Sequence, residues 1–509
     1  GTSDTLQTVG GTFTAAQLAS VTAIENWTVS DDTTSSFTLA DANIADGKAL
    51  TIDGRAIINA SNSLTVVGTN EADGVLTVHG STGGDALTGT ASDLGDTLHG
   101  YSGADTFNFA VNNLTTLDTV DGGAGSDTVQ ITSAGTLADA DFTNVTNVEA
   151  LTFTAAATSA TLGGQYQESG STTITLGSGT NSLTLGAAAA SGGAVTNDQT
   201  VDLDNGTDTI DAALHTGSLT VTYGDDDDLT AADTITASAT GTDVLSVTMA
   251  GTAALTAAEL ANVTGFETFE VATNVASAIT TADANVAATA SLTIDMTANT
   301  TTASTVSIAA ETNGAITILG GAGGNTITGS SSSMGDTITG GAGTDGITFA
   351  VASLDLLDTV NGGAGTDTLT ISGNGTIADA DFTNVTNIEA LTMGVGGANT
   401  YVLGAEYAES GSVTLNVAAG VANNITLGSG VTTAQTIAMG TGTDTVSAAL
   451  SGAAMTFTVA AANVASTDTI TGGTGTGDTL TITFASNAIT AANMAGVTAI
   501  ETIETATNV

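Results

Sequence analysis

Residues 122–130 read Gly122-Gly123-Ala124-Gly125-Ser126-Asp127-Thr128-Val129-Gln130. Residues 362–370, 240 positions on, read Gly362-Gly363-Ala364-Gly365-Thr366-Asp367-Thr368-Leu369-Thr370. Both fit the nonapeptide Gly-Gly-x-Gly-x-Asp-x-U-x, with U a large apolar residue, which winds a chain into a parallel β-roll around calcium. Six residues make the turn: glycine accepts left-handed backbone angles there, and the Asp with nearby carbonyls offers hard oxygen ligands. The last three residues make a short strand with U pointing inward. Two half-turns complete a coil, so Asp residues two nonapeptides apart are expected to stack along one edge.

Working outward from 122–130, consecutive half-turns fall at 80–88, 89–99, 100–108, 109–121 and 122–130. Their aspartates are Asp85, Asp96, Asp105, Asp118 and Asp127. Alternation puts Asp85, Asp105 and Asp127 on one edge, and Asp96 and Asp118 on the other. The inward residues become Leu87, Leu98, Phe107, Val120 and Val129. Around 362–370 the same reading gives Asn325, Asp345 and Asp367 on one edge, Asp336 and Asp358 opposite, and a core of Ile327, Ile338, Ile347, Val360 and Leu369. The turn glycines singled out are Gly122, Gly125, Gly340, Gly343, Gly362 and Gly365. Asn325 offers a neutral oxygen, so weaker ion binding is expected there. A smaller roll is expected near 204–247 (Asp208, Asp233, Asp243) and again near 440–482 (Asp444, Asp468, Asp478). The bland alternative is that a Gly-Asp turn closes a β-solenoid without any metal.

Composition bears on that choice. The 509 residues hold 52 acids against 2 Lys and Arg, a formal charge of −50. A compact fold under that self-repulsion needs counter-charge, and divalent cations supply it. A nucleic-acid partner is excluded for want of any basic patch. With Cys and Pro both absent, there are no disulfides and no interruption of strand ladders. No apolar run reaches membrane-spanning length. Aromatics are 4%, so the core falls to Val, Ile, Leu, Ala and Thr methyls.

The chain is a duplication. Asp41-Ala42-Asn43-Ile44 recurs as Asp283-Ala284-Asn285-Val286, and Gly135 to Thr152 recurs almost unchanged as Gly375 to Thr392. Copy one is assigned to 1–240, copy two to 241–474, and 475–509 to the start of a third. A finer motif recurs at Phe13–Glu25, Leu137–Glu149, Leu255–Glu267, Ile377–Glu389 and Ile489–Glu501, which makes the unit nearer 120 residues. Thr14 with Gln17, and Thr256 with Glu259, have capping-box spacing, and Phe142, Val145 and Val148 are spaced as one helical stripe. A helix of one or two turns that turns the solenoid and leads into a strand at 149–153 is expected. Gly1 is not a Met, and Ala506 to Val509 repeat Ala272 to Val275, so a processed product or a segment of a longer tandem array is expected. The fold class is all-β: a parallel β-solenoid with β-roll segments, interrupted by short helices.

Other groups read as structural. The run Asp225 to Asp228 is read as a solvated loop, because copy two lacks it. The recurring Glu25, Glu149, Glu267, Glu389 and Glu501 are read as hydrogen-bonding at the helix-to-strand junction rather than as ligands. His79 and His99 could stack and hold zinc, but copy two has Leu319 and Thr339 there, against a dedicated site. His215 has no partner in sequence, Lys48 and Arg55 are not repeated, and Trp27 is a core or local surface residue. No His-Glu-x-x-His is present, and scarce aromatics argue against a sugar-cleaving carboxylate pair. No enzyme is expected.

The nonapeptides, their Asp-Thr-Val and Asp-Thr-Leu endings, and Asn144-Val145-Thr146-Asn147-Val148-Glu149 resemble repeats-in-toxin proteins. The Thr/Ala/Gly-rich, Cys-free composition is most similar to their surface-layer branch in Gram-negative bacteria, of the Caulobacter type. That resemblance implies type I secretion, folding on extracellular calcium, a cell-surface location, and assembly with other copies into a layer or filament. It further implies anchoring to cell-surface polysaccharide through a region not seen here. The rival expectation is the stalk or ligand-binding region of a large secreted adhesin. Ice binding is remoter: Thr326-Ile327-Thr328 and Thr337-Ile338-Thr339 read as a Thr ladder of too few rungs.

Overall fold

The computed structural model describes residues 3–155, 157–186, 193–224, 228–248, 251, 253–395, 397–484 and 489–507. Alternating Thr-U-Thr triplets between Gly-rich turns give short strands with one face buried. Those strands pair in parallel with the strand one coil later, and the result is an all-β, parallel β-solenoid. The longest described helices, Gly164–Glu168 and Ala405–Glu409, have five residues each.

Two compact units divide the chain: residues 1–246 with 262–266, and residues 247–261 with 267–509. In the first, a seven-stranded sheet runs through Thr5–Thr8, Asn26–Val29, Ala49–Asp53, Val75–His79, Thr97–Ser102, Thr119–Ala124 and Val145–Thr146. The intervening strands, among them Ala86–Thr88, Thr106–Phe109 and Thr128–Ile131, form a second sheet in which Leu87, Phe107 and Val129 are in register. The second unit carries a twelve-stranded sheet from Ala253–Leu255 to Thr502–Thr507, so residues from 475 onward continue an existing sheet. Leu87, Leu98, Phe107, Val120, Val129, Ile327, Ile338, Ile347, Val360 and Leu369 are all fully buried. Each contributes about 1.5–3 kcal/mol of transfer free energy.

The recurring 120-residue motif changes faces. Gly135–Ala138 opens a six-stranded sheet, a single 3-10 turn at Asp139–Phe142 follows, and Val145–Thr146 closes the seven-stranded one. In copy two Thr376–Ile377 likewise opens a six-stranded sheet, Asp379–Phe382 is the 3-10 turn, and Val385–Thr386 pairs with Thr359–Gly363 of another sheet. The expected helical stripe is therefore corrected: Phe142 lies in the 3-10 turn, Val145 in a strand and Val148 beyond it. All three are buried because each leg of the coil faces the same core. The capping box at Thr14 and Gln17 is present, ahead of a four-residue helix.

The Thr ladder is also corrected. Thr326–Thr328 and Thr337–Gly341 lie in different sheets. The true column is longer: Ser307, Thr328, Thr348, Thr370 and Thr392 are successive outward partners. No outward residue of this sheet between Thr305 and Thr483 is charged.

Candidate metal centre

Coiling brings the aspartates into columns. Leu64 N–H donates to Asp85 Oδ1 (2.7 Å), Asp85 N–H to Asp105 Oδ1 (2.7 Å), Asp105 N–H to Asp127 Oδ1 (2.8 Å) and Asp127 N–H to Glu149 Oε2 (2.8 Å). On the opposite edge, Leu76 N–H reaches Asp96 Oδ1 (3.0 Å) and Asp96 N–H reaches Asp118 Oδ1 (2.7 Å). In copy two the first column runs Ser304, Asn325, Asp345, Asp367 and Glu389, with bonds of 3.2, 2.5, 2.8 and 2.7 Å. The second joins Asp336 N–H to Asp358 Oδ1 at 2.8 Å. These bonds satisfy strand-end N–H groups that no neighbouring carbonyl reaches.

The smaller patches are built alike but begin with asparagine. Asn181 N–H donates to Asp208 (3.1 Å) and Asp208 N–H to Asp233 (2.5 Å), while Asp243 accepts separately from Leu219 (2.7 Å). Asn423 N–H donates to Asp444 (3.2 Å) and Asp444 N–H to Asp468 (3.1 Å), whereas Asp478 accepts from Met455 (2.8 Å).

The second carboxylate oxygen separates the aspartates. In Asp85 it accepts from Ser81 N–H (2.6 Å), in Asp96 from Thr90 N–H (2.6 Å) and in Asp118 from Thr115 N–H (2.7 Å). Asp336 and Asp358 take Ser330 N–H (3.0 Å) and Asp355 N–H (2.9 Å), and Asp243 and Asp478 take Ser238 N–H (2.8 Å) and Gly473 N–H (2.6 Å). The Oδ2 atoms of Asp105, Asp127, Asp345 and Asp367 are buried with no partner, as is Asp208 Oδ2. The first four belong to the half-turns at 100–108, 122–130, 340–348 and 362–370, which keep glycine at the first and fourth positions.

Each bare oxygen borders a gap that only glycine leaves open. A methyl group on Gly100 would lie 2.1 Å from Asp105 Oδ2 and 2.6 Å from Gly122 O; one on Gly340, 2.6 Å from Asp345 Oδ2 and 2.4 Å from Gly362 O. Gly122 and Gly362 stand likewise between Asp127 or Asp367 and the carbonyl of Asn147 or Asn387. Such all-oxygen lining suits a hard cation such as calcium. Asn325 answers the same need differently, donating its Nδ2–H to Gly340 O at 2.8 Å and to Gly321 O at 3.3 Å.

Burial pushes Asp105 up to about 7; the bond from Asp85 N–H opposes the rise, and the charges on Asp85 and Asp127 add to it. Asp96, Asp208 and Asp358 are pushed up to about 6, chiefly by burial. Asp127, Asp345 and Asp367 shift upward for the same leading cause. Such carboxyls hold their proton more tightly folded than unfolded, where the value is about 3.9. Stability from those protons is complete below the unfolded value and is lost as pH rises through the folded one. Calcium-free protein is therefore expected to weaken between about pH 4 and pH 7. Thermal melts of metal-free protein check this, and a melting temperature that climbs across that range would contradict it.

The recurring glutamates end the columns. Besides Glu149 and Glu389, Glu25 accepts from Asp4 N–H and Glu501 from Asp478 N–H, each at 2.8 Å. Glu149→Ala strands the Asp127 N–H and should cost about 1–3 kcal/mol in denaturant melts, whereas Glu149→Gln, which keeps an acceptor, should cost little. The sequence signal was the step of 22 or 23 residues from Asp127, Asp367 and Asp478 to the Glu one coil later.

The remaining candidates lie apart from the aspartate columns. Asp225, Asp226 and Asp227 lie outside the described residues, while Asp228 Oδ2 accepts from Gly224 N–H at 3.0 Å. His79 and His99 stack with ring centres 5.5 Å apart, and Tyr101 Oη lies 3.0 Å from His79 Nδ1. Asp121 Oδ2 lies 3.7 Å from His99 Nδ1, but among the described residues no set of three mutually close ligand atoms includes either histidine. His215 is buried with Nε2 2.9 Å from Asn197 O. Arg55 is paired with Asp53, and Trp27 is fully buried beside Phe37.

The chain matches no family model and no curated protein.

Proposed function

We propose that the chain is an extracellular structural protein that folds on calcium and self-assembles into a surface layer or filament. The observation that carries the calcium part is the set of four buried, partnerless Asp oxygens, each beside a carbonyl in a glycine gap. Asp105, Asp127, Asp345 and Asp367 would hold the ions, and calcium would supply the positive charge that Lys and Arg do not. Extracellular calcium modules bind at about 10⁻⁴–10⁻³ M, so a low-calcium cytosol leaves the chain open and the outside closes it. Assembly is supported by the placement of charge. Carboxylates crowd the column edges, while the strands of the twelve-stranded sheet from Thr305 to Thr483 present an uncharged, Thr-rich outward face on which copies of a chain of charge −50 can approach.

A calcium titration followed by circular dichroism and light scattering together tests this. Strand signal and scattering should rise together. Strand signal without scattering would replace the assembly reading with an adhesin stalk, and no change in either would remove calcium from the account.

A further inference from the structure

A second acidic constellation lies outside the aspartate columns and shares no residue with them. Asp41 opens a 3-10 turn at Asp41–Asn43, and Glu71 and Asp73 lie in the tight turn before strand Val75–His79. One carboxylate oxygen from each of Asp41, Glu71 and Asp73 lies within 4.8 Å of the other two. Oxygens on one calcium ion sit about 2.3–2.6 Å from it, and so at most about 5 Å from one another. Asp41 and Asp73 are exposed and leave room for water ligands, while Glu71 is fully buried. Backbone N–H groups fix the set: Gly74 and Asp73 donate to Glu71 Oε1 at 3.1 and 3.3 Å, Ile44 to Glu71 Oε2 at 3.3 Å, and Ala72 to Asp41 Oδ1 at 3.3 Å.

Copy two repeats the first two carboxylates as Asp283 and Glu311, with Asn313 at the sequence position of Asp73. Thr312 N–H is shared between Asp283 Oδ1 (3.0 Å) and Glu311 Oε1 (2.9 Å), which brings the two carboxylates together without a positive group between them. Glu311 Oε1 also takes Asn313 N–H (2.8 Å) and Gly314 N–H (2.6 Å). Its other oxygen, Oε2, is fully buried and has no partner. A buried carboxylate oxygen left bare beside a second carboxylate is costly unless a proton or a cation completes it. Lys48 in copy one is replaced by Ala290 in copy two, so a lysine does not serve both sites.

We propose that Asp41, Glu71 and Asp73 form a divalent-cation site, with a weaker counterpart at Asp283, Glu311 and Asn313. The ion clamps the turn at 71–74 onto the 3-10 turn of the preceding coil, just ahead of the β-roll. Asp73 becomes Asn313 in copy two, which lowers the charge and hence the affinity.

Equilibrium dialysis of the full chain with radioactive calcium tests the site, comparing it with Asp41→Asn/Asp73→Asn. Asn keeps the Oδ1 acceptor, and Asn is already tolerated at position 313. The double variant should lose one bound ion per chain while the calcium-driven strand signal persists. In the opposite direction, Asn313→Asp should tighten one site about tenfold. Unchanged stoichiometry in the first variant together with an unchanged isotherm in the second overturns the proposal. The same two changes made where Asp105, Asp127, Asp345 and Asp367 are all asparagine separate this site from the columns. An ion lost there belongs to the clamp whether or not the columns bind calcium.

Discussion

The variant carrying Asp105→Asn, Asp127→Asn, Asp345→Asn and Asp367→Asn is expected to fold without calcium. Each of these aspartates uses Oδ1 to accept a column N–H and leaves Oδ2 buried and bare. An asparagine keeps the first bond and replaces the bare oxygen with an N–H donor facing the neighbouring carbonyl. Asn325 already does this, with Nδ2 2.8 Å from Gly340 O. Four desolvated charges disappear, and the repulsion that Asp105 feels from Asp85 and Asp127 falls with them. Parent protein at pH 8 in excess chelator should lose most of its strand signal, and the fourfold variant should keep it. Calcium should then raise the parent's melting temperature by much more than the variant's, in which only the sites at Asp41, Glu71 and Asp73 and at Asp283 and Glu311 remain. At about 10–100 times the dissociation constant, each occupied site adds about 1.4–2.7 kcal/mol to the parent. A variant that still needs calcium to fold would show that these four side chains are not where the ion acts.

The second large effect is expected from Gly122→Ala. A methyl group there would stand 2.0 Å from Asn147 O and 2.7 Å from Asp127 Oδ2. The carbonyl belongs to the backbone of the next coil, so it cannot swing aside as a side-chain tip would. The coils must separate, which breaks the Asp127 to Glu149 bond and closes the gap beside Asp127. The cost should exceed the ~1–3 kcal/mol of ordinary overpacking, and calcium-induced strand signal should fall while Gly346→Ala, with nothing within 4 Å of the added methyl, behaves as the parent. Equal melting temperatures for the two variants would contradict the close approach of coils at Gly122.

Much of the fold was legible because a solenoid repeats one local decision. Leu87, Phe107 and Val129 recur at the U position, and alternation alone assigns them to one inward column. The edges on which Asp85, Asp105, Asp127, Asp96 and Asp118 lie follow from the same counting. What counting could not reach was the difference between Asp85 and Asp105. It depends on whether a turn N–H, such as that of Ser81, points back at the carboxylate, and this is a matter of backbone angles. Thr326 and Thr337 were misplaced together because nearness in sequence hides which leg of the coil each occupies. The motif at 137–149 looked helical because its apolar spacing of three fits a helix; here it arises from successive legs that face one core. Asp41 and Glu71 escaped notice because thirty residues separate them, and only the coil brings them side by side.

The columns have a direction. Every carboxylate that receives a column N–H belongs to the later coil: Asp105 receives from Asp85, Asp127 from Asp105, and Glu149 from Asp127. A coil therefore finds its acceptor only if the coil that follows it in sequence is already in place. The glutamate at each column's end is the acceptor furthest along the chain. A chain that emerges carboxyl end first meets this order as it arrives, each new coil docking on a finished one. A chain emerging amino end first presents these column donors before their carboxylate acceptors exist.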